Sequence, residues 1–206
     1  MPHLIKFAMR NGQLVPYRQR VLGEAEGRVL EVGVGSGENL PLYTDRATEV
    51  LGVEPIPKLI DMASAKTCRI PKKLIEGSAD LIPLDTSSVD TVVTTWTLCT
   101  IPDVEKALRE MRRVLKPGGQ LLFVEHGLSP DDGVRKWQNR LTPLWKKIAG
   151  GCHLNRPIPD LIEAAGFRIS RLDRGYMAGP KAMTFMYEGA ATAQACLPPK
   201  KQVADS

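Results

Sequence analysis

Residues 31–37 read Glu31-Val32-Gly33-Val34-Gly35-Ser36-Gly37, an acid followed by glycines at alternate positions. Glycine at this spacing lets a backbone approach a ligand closely and turn its amides toward it. A dinucleotide turn wants G-x-G-x-x-G, and counting from Gly33 the third glycine falls on Glu38. A carboxylate there would repel a pyrophosphate. Glu31 instead suits a cationic group such as an ammonium, held directly or through water. The plainer alternative is that these glycines only shape a tight strand-to-helix turn.

Three further groups follow in order. Glu54, then Pro55, closes the apolar run 50–53, where α/β nucleotide-type sites place an acid on ribose hydroxyls. Ser78, Ala79 and Asp80 follow a third short apolar run and suit an adenine ring, with a backbone amide and an acid beside it. Thr95 and Trp96 end a fourth run and would floor the same crevice. G-x-G-x-G with an acid just before it is the pattern of sites for S-adenosylmethionine (SAM), an adenosine that carries an ammonium, a carboxylate and a sulfonium, and SAM is the expected cofactor. Tyr17, in an apolar-periodic segment near the start, is a candidate to reach its methionine end.

Methyl transfer from a sulfonium is an in-line displacement with a neutral leaving group. The protein must align the partners and exclude water, and neither a metal nor an oxyanion hole is required. His126 lies just past the fifth predicted strand, with an ordinary pKa of about 6.5 that suits proton removal near neutrality. It is the candidate catalytic base; the competing reading is a loop histidine bonded to backbone. Trp96, Trp137, Trp145, His153 and Arg156 are candidates to line or anchor an acceptor, with surface or structural contacts as the alternative. No metal site is expected, because Cys68, Cys99, Cys152 and Cys196 form no CxxC pair; a site built from residues distant in sequence is the lesser alternative.

These residues need a scaffold of alternating strands and helices, a doubly wound sheet with ligands at its carboxyl edge. Strands are predicted at 27–34, 49–53, 73–76, 89–95, 120–125, 167–172 and 183–187. Helices are predicted at 38–43 (limited by Pro41), 58–66, 104–115 and 158–165. The expected division is an N-terminal helical cap over 1–26, a catalytic domain over 27–188 with an insertion at about 127–156, and a flexible tail over 189–206. In the insertion, Trp137, Leu141, Leu144, Trp145 and Ile148 alternate with basic residues. That pattern fits a lid over the acceptor, an amphipathic surface on anionic lipid, or a covering helix broken near Pro143.

The chain has 206 residues, 43% of them hydrophobic and 25% charged, which fits one soluble domain. No apolar run is long enough to span a membrane, and the first residues are too short for a signal peptide. The cytosol is the expected compartment, with peripheral membrane contact as the alternative. The net charge of +5 is spread over the chain and no nucleic-acid module is visible, so a nucleic-acid partner is not expected. The sequence is silent on oligomeric state.

The stretches 31–37, Glu54, 77–80, 88–93 and 113–119 together resemble the class I SAM-dependent methyltransferases, over residues 27–125. The resemblance implies a Rossmann-like α/β fold: a seven-stranded, mostly parallel sheet with helices on both faces and its last strand antiparallel. A closer likeness, to the branch that includes animal alkyl-thiol S-methyltransferases, is carried by Thr97-Leu98-Cys99-Thr100, Glu125-His126, Trp137 with Pro143-Leu144-Trp145, and Gly151-Cys152-His153-Leu154-Asn155-Arg156. It implies a small, fairly apolar acceptor, a thiol first. Thiols are undemanding nucleophiles, since an ordinary pKa of about 8.5 needs only a modest push to give thiolate. Phospholipid N-methyltransferases and quinone C-methyltransferases share the fold motifs and are the alternatives, as is a SAM-binding module without activity. The animal thiol enzymes carry an N-terminal hydrophobic anchor that is not seen here, so membrane residence is not expected to carry over.

Overall fold

The computed structural model describes residues 12–193. Seven strands form one sheet in the order β3-β2-β1-β4-β5-β7-β6. They are β1 (Gly27–Val32), β2 (Ala47–Glu54), β3 (Lys72–Glu76), β4 (Val89–Thr95), β5 (Leu115–His126), β6 (Phe167–Tyr176) and β7 (Phe185–Ala193). β1 pairs in parallel with β2 and β4, and β4 with β5, whereas β7 runs antiparallel to both β5 and β6. The strand order reverses between β1 and β4, which opens a crevice at their carboxyl ends.

β4 is rich in valine and threonine, and its positions 91–95 are buried as a central strand requires. The helices are α1 (Val15–Gly23), α2 (Pro57–Ser64), α3 (Val104–Val114), α4 (Asp132–Ile148), α5 (Ile158–Ala164) and the single turn α6 (Lys181–Thr184). α3 shows the logic of a sheet-covering helix. The Asp103 carboxylate caps it by accepting from the Lys106 amide at 2.9 Å, and Val104, Ala107, Leu108, Met111 and Val114 bury one face. That face joins Leu121, Phe123, Ile158 and Phe167 in one core, while Val21, Leu22, Tyr43, Val50 and Leu122 belong to the core on the other side.

Three expectations change. The helix expected over 38–43 is only a 3-10 turn, Leu40–Leu42, because Pro41 denies it the amide that a longer helix would use. α4 runs through Pro143 without a break. The carbonyl that the proline leaves unbonded belongs to exposed Asn139, where water can satisfy it. The flexible tail expected from residue 189 does not start there: Gly189, Ala190, Ala191 and Thr192 pair with both β5 and β6. The remainder, from 194, lies outside the described residues, as do the first eleven residues of the expected N-terminal cap. Among the described residues, no helix is long and apolar enough to cross a membrane.

Candidate functional site

The glycine-rich turn leaves β1 with Gly33, Gly35 and Gly37 all at positive φ. A Cβ on Gly33 would collide with the Thr97 side chain, and one on Gly37 would press on Ala63 and Leu40. Those two glycines are set by close packing. Gly35 is different: at φ +55 the nearest atom to an added Cβ is the Gly33 carbonyl oxygen at 3.9 Å. Its flank is open space at the crest of the turn, the cradle that a ligand would fill.

Two acids flank this cradle. Glu31 is buried, with Tyr43 Oη donating to Oε2 at 2.8 Å and Asn39 Nδ2 to Oε1 at 2.9 Å. Asn39 Nδ2 also reaches Thr95 Oγ1 at 3.0 Å, and the Arg18 guanidinium donates to Asn39 Oδ1. Burial pushes the Glu31 carboxyl up to about 7, against the hydrogen bonds from Tyr43 and Asn39 and the charge of Arg18. Glu54, at the end of β2, accepts from the Gly35 amide at 3.1 Å and the Ile56 amide at 3.2 Å. Burial raises its pKa too, tempered by those amides. A carboxylate can accept about four hydrogen bonds, so Glu54 retains capacity for a vicinal diol. Pro55 is exposed beside it.

Past β3, the Ser78 hydroxyl bonds to Asp80 and holds its carboxyl below the ordinary value. Asp80 also pairs with Lys106 at 3.6 Å, and Ala79 is buried between them in sequence. At the end of β4, Trp96 adopts φ +52, an uncommon conformation for a bulky residue. Arg18 stacks over its ring at 5.0 Å, and Tyr17 meets it edge-on at a 6.4 Å centroid distance. α1 therefore covers the floor of the crevice with Tyr17 and Arg18. Tyr17 also lines a cleft of about 530 Å³ between α1 and the β6–β7 edge, where Arg20 pairs with Glu188 and Arg171 with Glu24. An ammonium near Glu31, a diol at Glu54 and a purine near Asp80 are what this donor set accommodates, and SAM fits it.

On the other side of the β4 terminus, Cys99, His126 and Cys152 converge from three segments. Their donor atoms lie within 4.8 Å of one another, and His126 Nε2 sits 3.0 Å from Cys152 Sγ. Contact with Cys99 and with the His126 imidazole pulls the Cys152 thiol down, while its thiolate pushes Cys99 up. Burial depresses His126, but the bond and charge of Cys152 outweigh it, and the net shift is upward. Glu125 is buried; its Oε1 accepts from the Thr97 amide at 2.9 Å, Oε2 has no partner, and burial lifts the carboxyl to about 7.

Of the residues expected to meet an acceptor, Arg156 is buried and donates to the carbonyl oxygens of Leu98 and, at 2.6 Å, Ile101. It clamps the turn after β4. His153 takes part in the same turn, its amide donating to the Cys99 carbonyl at 2.8 Å and Nδ1 lying 3.1 Å from that oxygen. Trp145 is half-buried beside Cys152, with an unpartnered indole N–H. Trp137 is 61% exposed, on a stripe with Leu144 and Ile148 along α4, away from the buried cluster. Sequence reasoning passed over Arg18, Asn39 and Tyr43, whose roles arise only from partners distant in the chain, and over the convergence of the two cysteines on His126.

A family model described as a methyltransferase domain matches residues 30–123. The chain is 36% identical over 154 residues to rat (Rattus norvegicus) thiol S-methyltransferase TMT1B, covering 72% of this chain and 63% of that protein. It is 30% identical over 158 residues to human thiol S-methyltransferase TMT1A, covering 74% of this chain and 64% of that protein. The chain thus spans somewhat less than two thirds of the relatives it matches. A solved structure of a SAM-dependent methyltransferase from Aquifex aeolicus superposes with a TM-score of 0.69 at 19% identity, covering 94% of this chain and 99% of the other, which shows a shared fold.

Proposed function

We propose that the chain is a class I SAM-dependent methyltransferase and that it methylates the sulfur of a small, fairly apolar thiol. Bound SAM supplies an electrophilic methyl group on a cationic sulfur, which leaves as a neutral thioether. The residues of the chain do the rest. Glu31, oriented by Asn39 and Tyr43, holds the ammonium end, Glu54 accepts from the ribose hydroxyls, and Ser78, Ala79 and Asp80 flank the adenine. Thr95 and Trp96 form the floor, with Tyr17 and Arg18 above them excluding water.

One observation carries the thiol reading: at the β4–β5 end of the crevice the buried Arg156 guanidinium bonds the sulfur-bearing turn at the Leu98 and Ile101 carbonyls. A buried guanidinium there favours an acceptor that arrives as an anion, as a thiolate does, over an ammonium headgroup. The 36% identity to a protein named thiol S-methyltransferase supports the same choice. His126 is held by Cys152, so it would not act on the acceptor as a free base. Incubation with SAM and a panel of alkyl thiols, amines and quinones is the test. Thioether formed from the thiols is expected; methylated amine or quinone without thioether would overturn the assignment.

A second reading concerns where the enzyme works. Trp137, Leu144 and Ile148 are exposed on one side of α4, flanked by Lys136, Arg140 and Lys147. That is the pattern of a helix lying on anionic lipid. Flotation with phosphatidylserine vesicles, lost on Trp137→Glu, is the expected result; no flotation of the parent protein would remove this reading.

A further inference from the structure

The geometry points to a metal site: Cys99, His126 and Cys152 form a three-ligand seat for a zinc-class cation, with a fourth position open. The donors come from the turn after β4, the last residue of β5 and the loop after α4, and all three donor atoms lie within 4.8 Å of one another. Tetrahedral zinc, with metal–sulfur bonds of about 2.3 Å and metal–nitrogen bonds of about 2.0–2.1 Å, separates its ligand atoms by roughly 3.5–3.8 Å. The cluster is therefore near closure; the 3.0 Å contact from His126 Nε2 to Cys152 Sγ need open by only about half an ångström.

The surrounding chain holds the donors in place. Arg156 fixes the turn that carries Cys99 by bonding the Leu98 and Ile101 carbonyls, and the His153 amide bonds the Cys99 carbonyl at 2.8 Å. The Cys152 amide is tied to the Ala149 carbonyl at 3.1 Å. Two buried polar atoms near the cluster make no hydrogen bond of ordinary geometry: Glu125 Oε2, next in sequence to His126, and Trp145 Nε1, on the helix that leads to Cys152. Groups of this kind commonly orient a metal's ligands. Two sulfurs and one imidazole select a soft or borderline cation over magnesium or calcium. Three protein ligands also leave one position open, as in catalytic and not structural zinc sites. That position would accept a substrate thiol as thiolate, a consequence that rests on the acceptor reading above; cation binding itself does not.

Metal content is measured on the full chain expressed with added zinc and purified without chelators, beside a cobalt-reconstituted sample. Close to one zinc per chain is expected, with a thiolate-to-cobalt charge-transfer absorption in the near ultraviolet. Cys152→Ser and Cys99→Ser should lose most of the zinc and the charge-transfer band, while Cys68→Ser, outside the cluster, keeps both. A folded parent protein that takes up neither metal overturns the assignment, as does equal zinc in the Cys99→Ser/Cys152→Ser double variant. Neither readout uses methyl transfer. Failure to methylate thiols therefore leaves the metal result standing, and an empty cluster leaves the thiol assay standing.

Discussion

At the scale of single residues, the cofactor side was readable because its chemistry is local. Acid, glycines and a second acid after the next strand each declare themselves within a few positions. Gly33 and Gly35 separate packing from binding. Gly33→Ala should lower stability by at least about 2 kcal/mol, since it adds a collision with Thr97 to positive-φ strain. Gly35→Trp should cost only about 1–2 kcal/mol of strain yet abolish SAM binding in a calorimeter, because its flank is open. Glu31 gives a pH signature. Its folded pKa of about 7 exceeds the unfolded value of 4.5, so its contribution to stability is fullest below 4.5 and is lost as pH rises through 7. At 1.36 kcal/mol per unit the loss is about 3 kcal/mol. Denaturant titrations at pH 5 and pH 8 should show a larger drop in the parent than in Glu31→Gln. SAM affinity of the parent should rise as pH climbs toward 7, and Glu31→Gln should bind weakly at every pH. The sulfur–imidazole cluster was not readable, because its members meet only after three segments fold.

At the scale of elements, periodicity located nearly every strand and helix, and the misses share a cause. Propensity was judged on a segment alone, while partners elsewhere decided its state. Gly189, Ala190 and Ala191 read as a tail for want of bulky side chains, yet β7 needs small residues where β5 and β6 approach. A Cβ on Gly189 would strike the Arg171 carbonyl oxygen and the Phe123 ring. Truncation after Glu188 should therefore yield insoluble protein, or protein without the parent's cooperative melt by circular dichroism. Gly189→Ala should lower stability by about 3 kcal/mol or more.

At the scale of the whole molecule, the strand order fixes where chemistry happens. Its reversal between β1 and β4 brings the glycine turn, Glu54 and the β4 terminus to one edge, and the extension of β5 carries His126 there as well. That much follows from alternation of strands and helices. What α1 does does not, because α1 has only a weak apolar stripe, and its hold on the crevice runs through polar contacts. Through Arg18 it grips both Asn39 behind Glu31 and the ring of Trp96. A purification handle fused close before Gly12 therefore sits mechanically upstream of the donor pocket. Such handles should shift the dissociation constant for S-adenosylhomocysteine several-fold between cleaved and uncleaved protein, and the same handle moved to the other terminus should leave it unchanged.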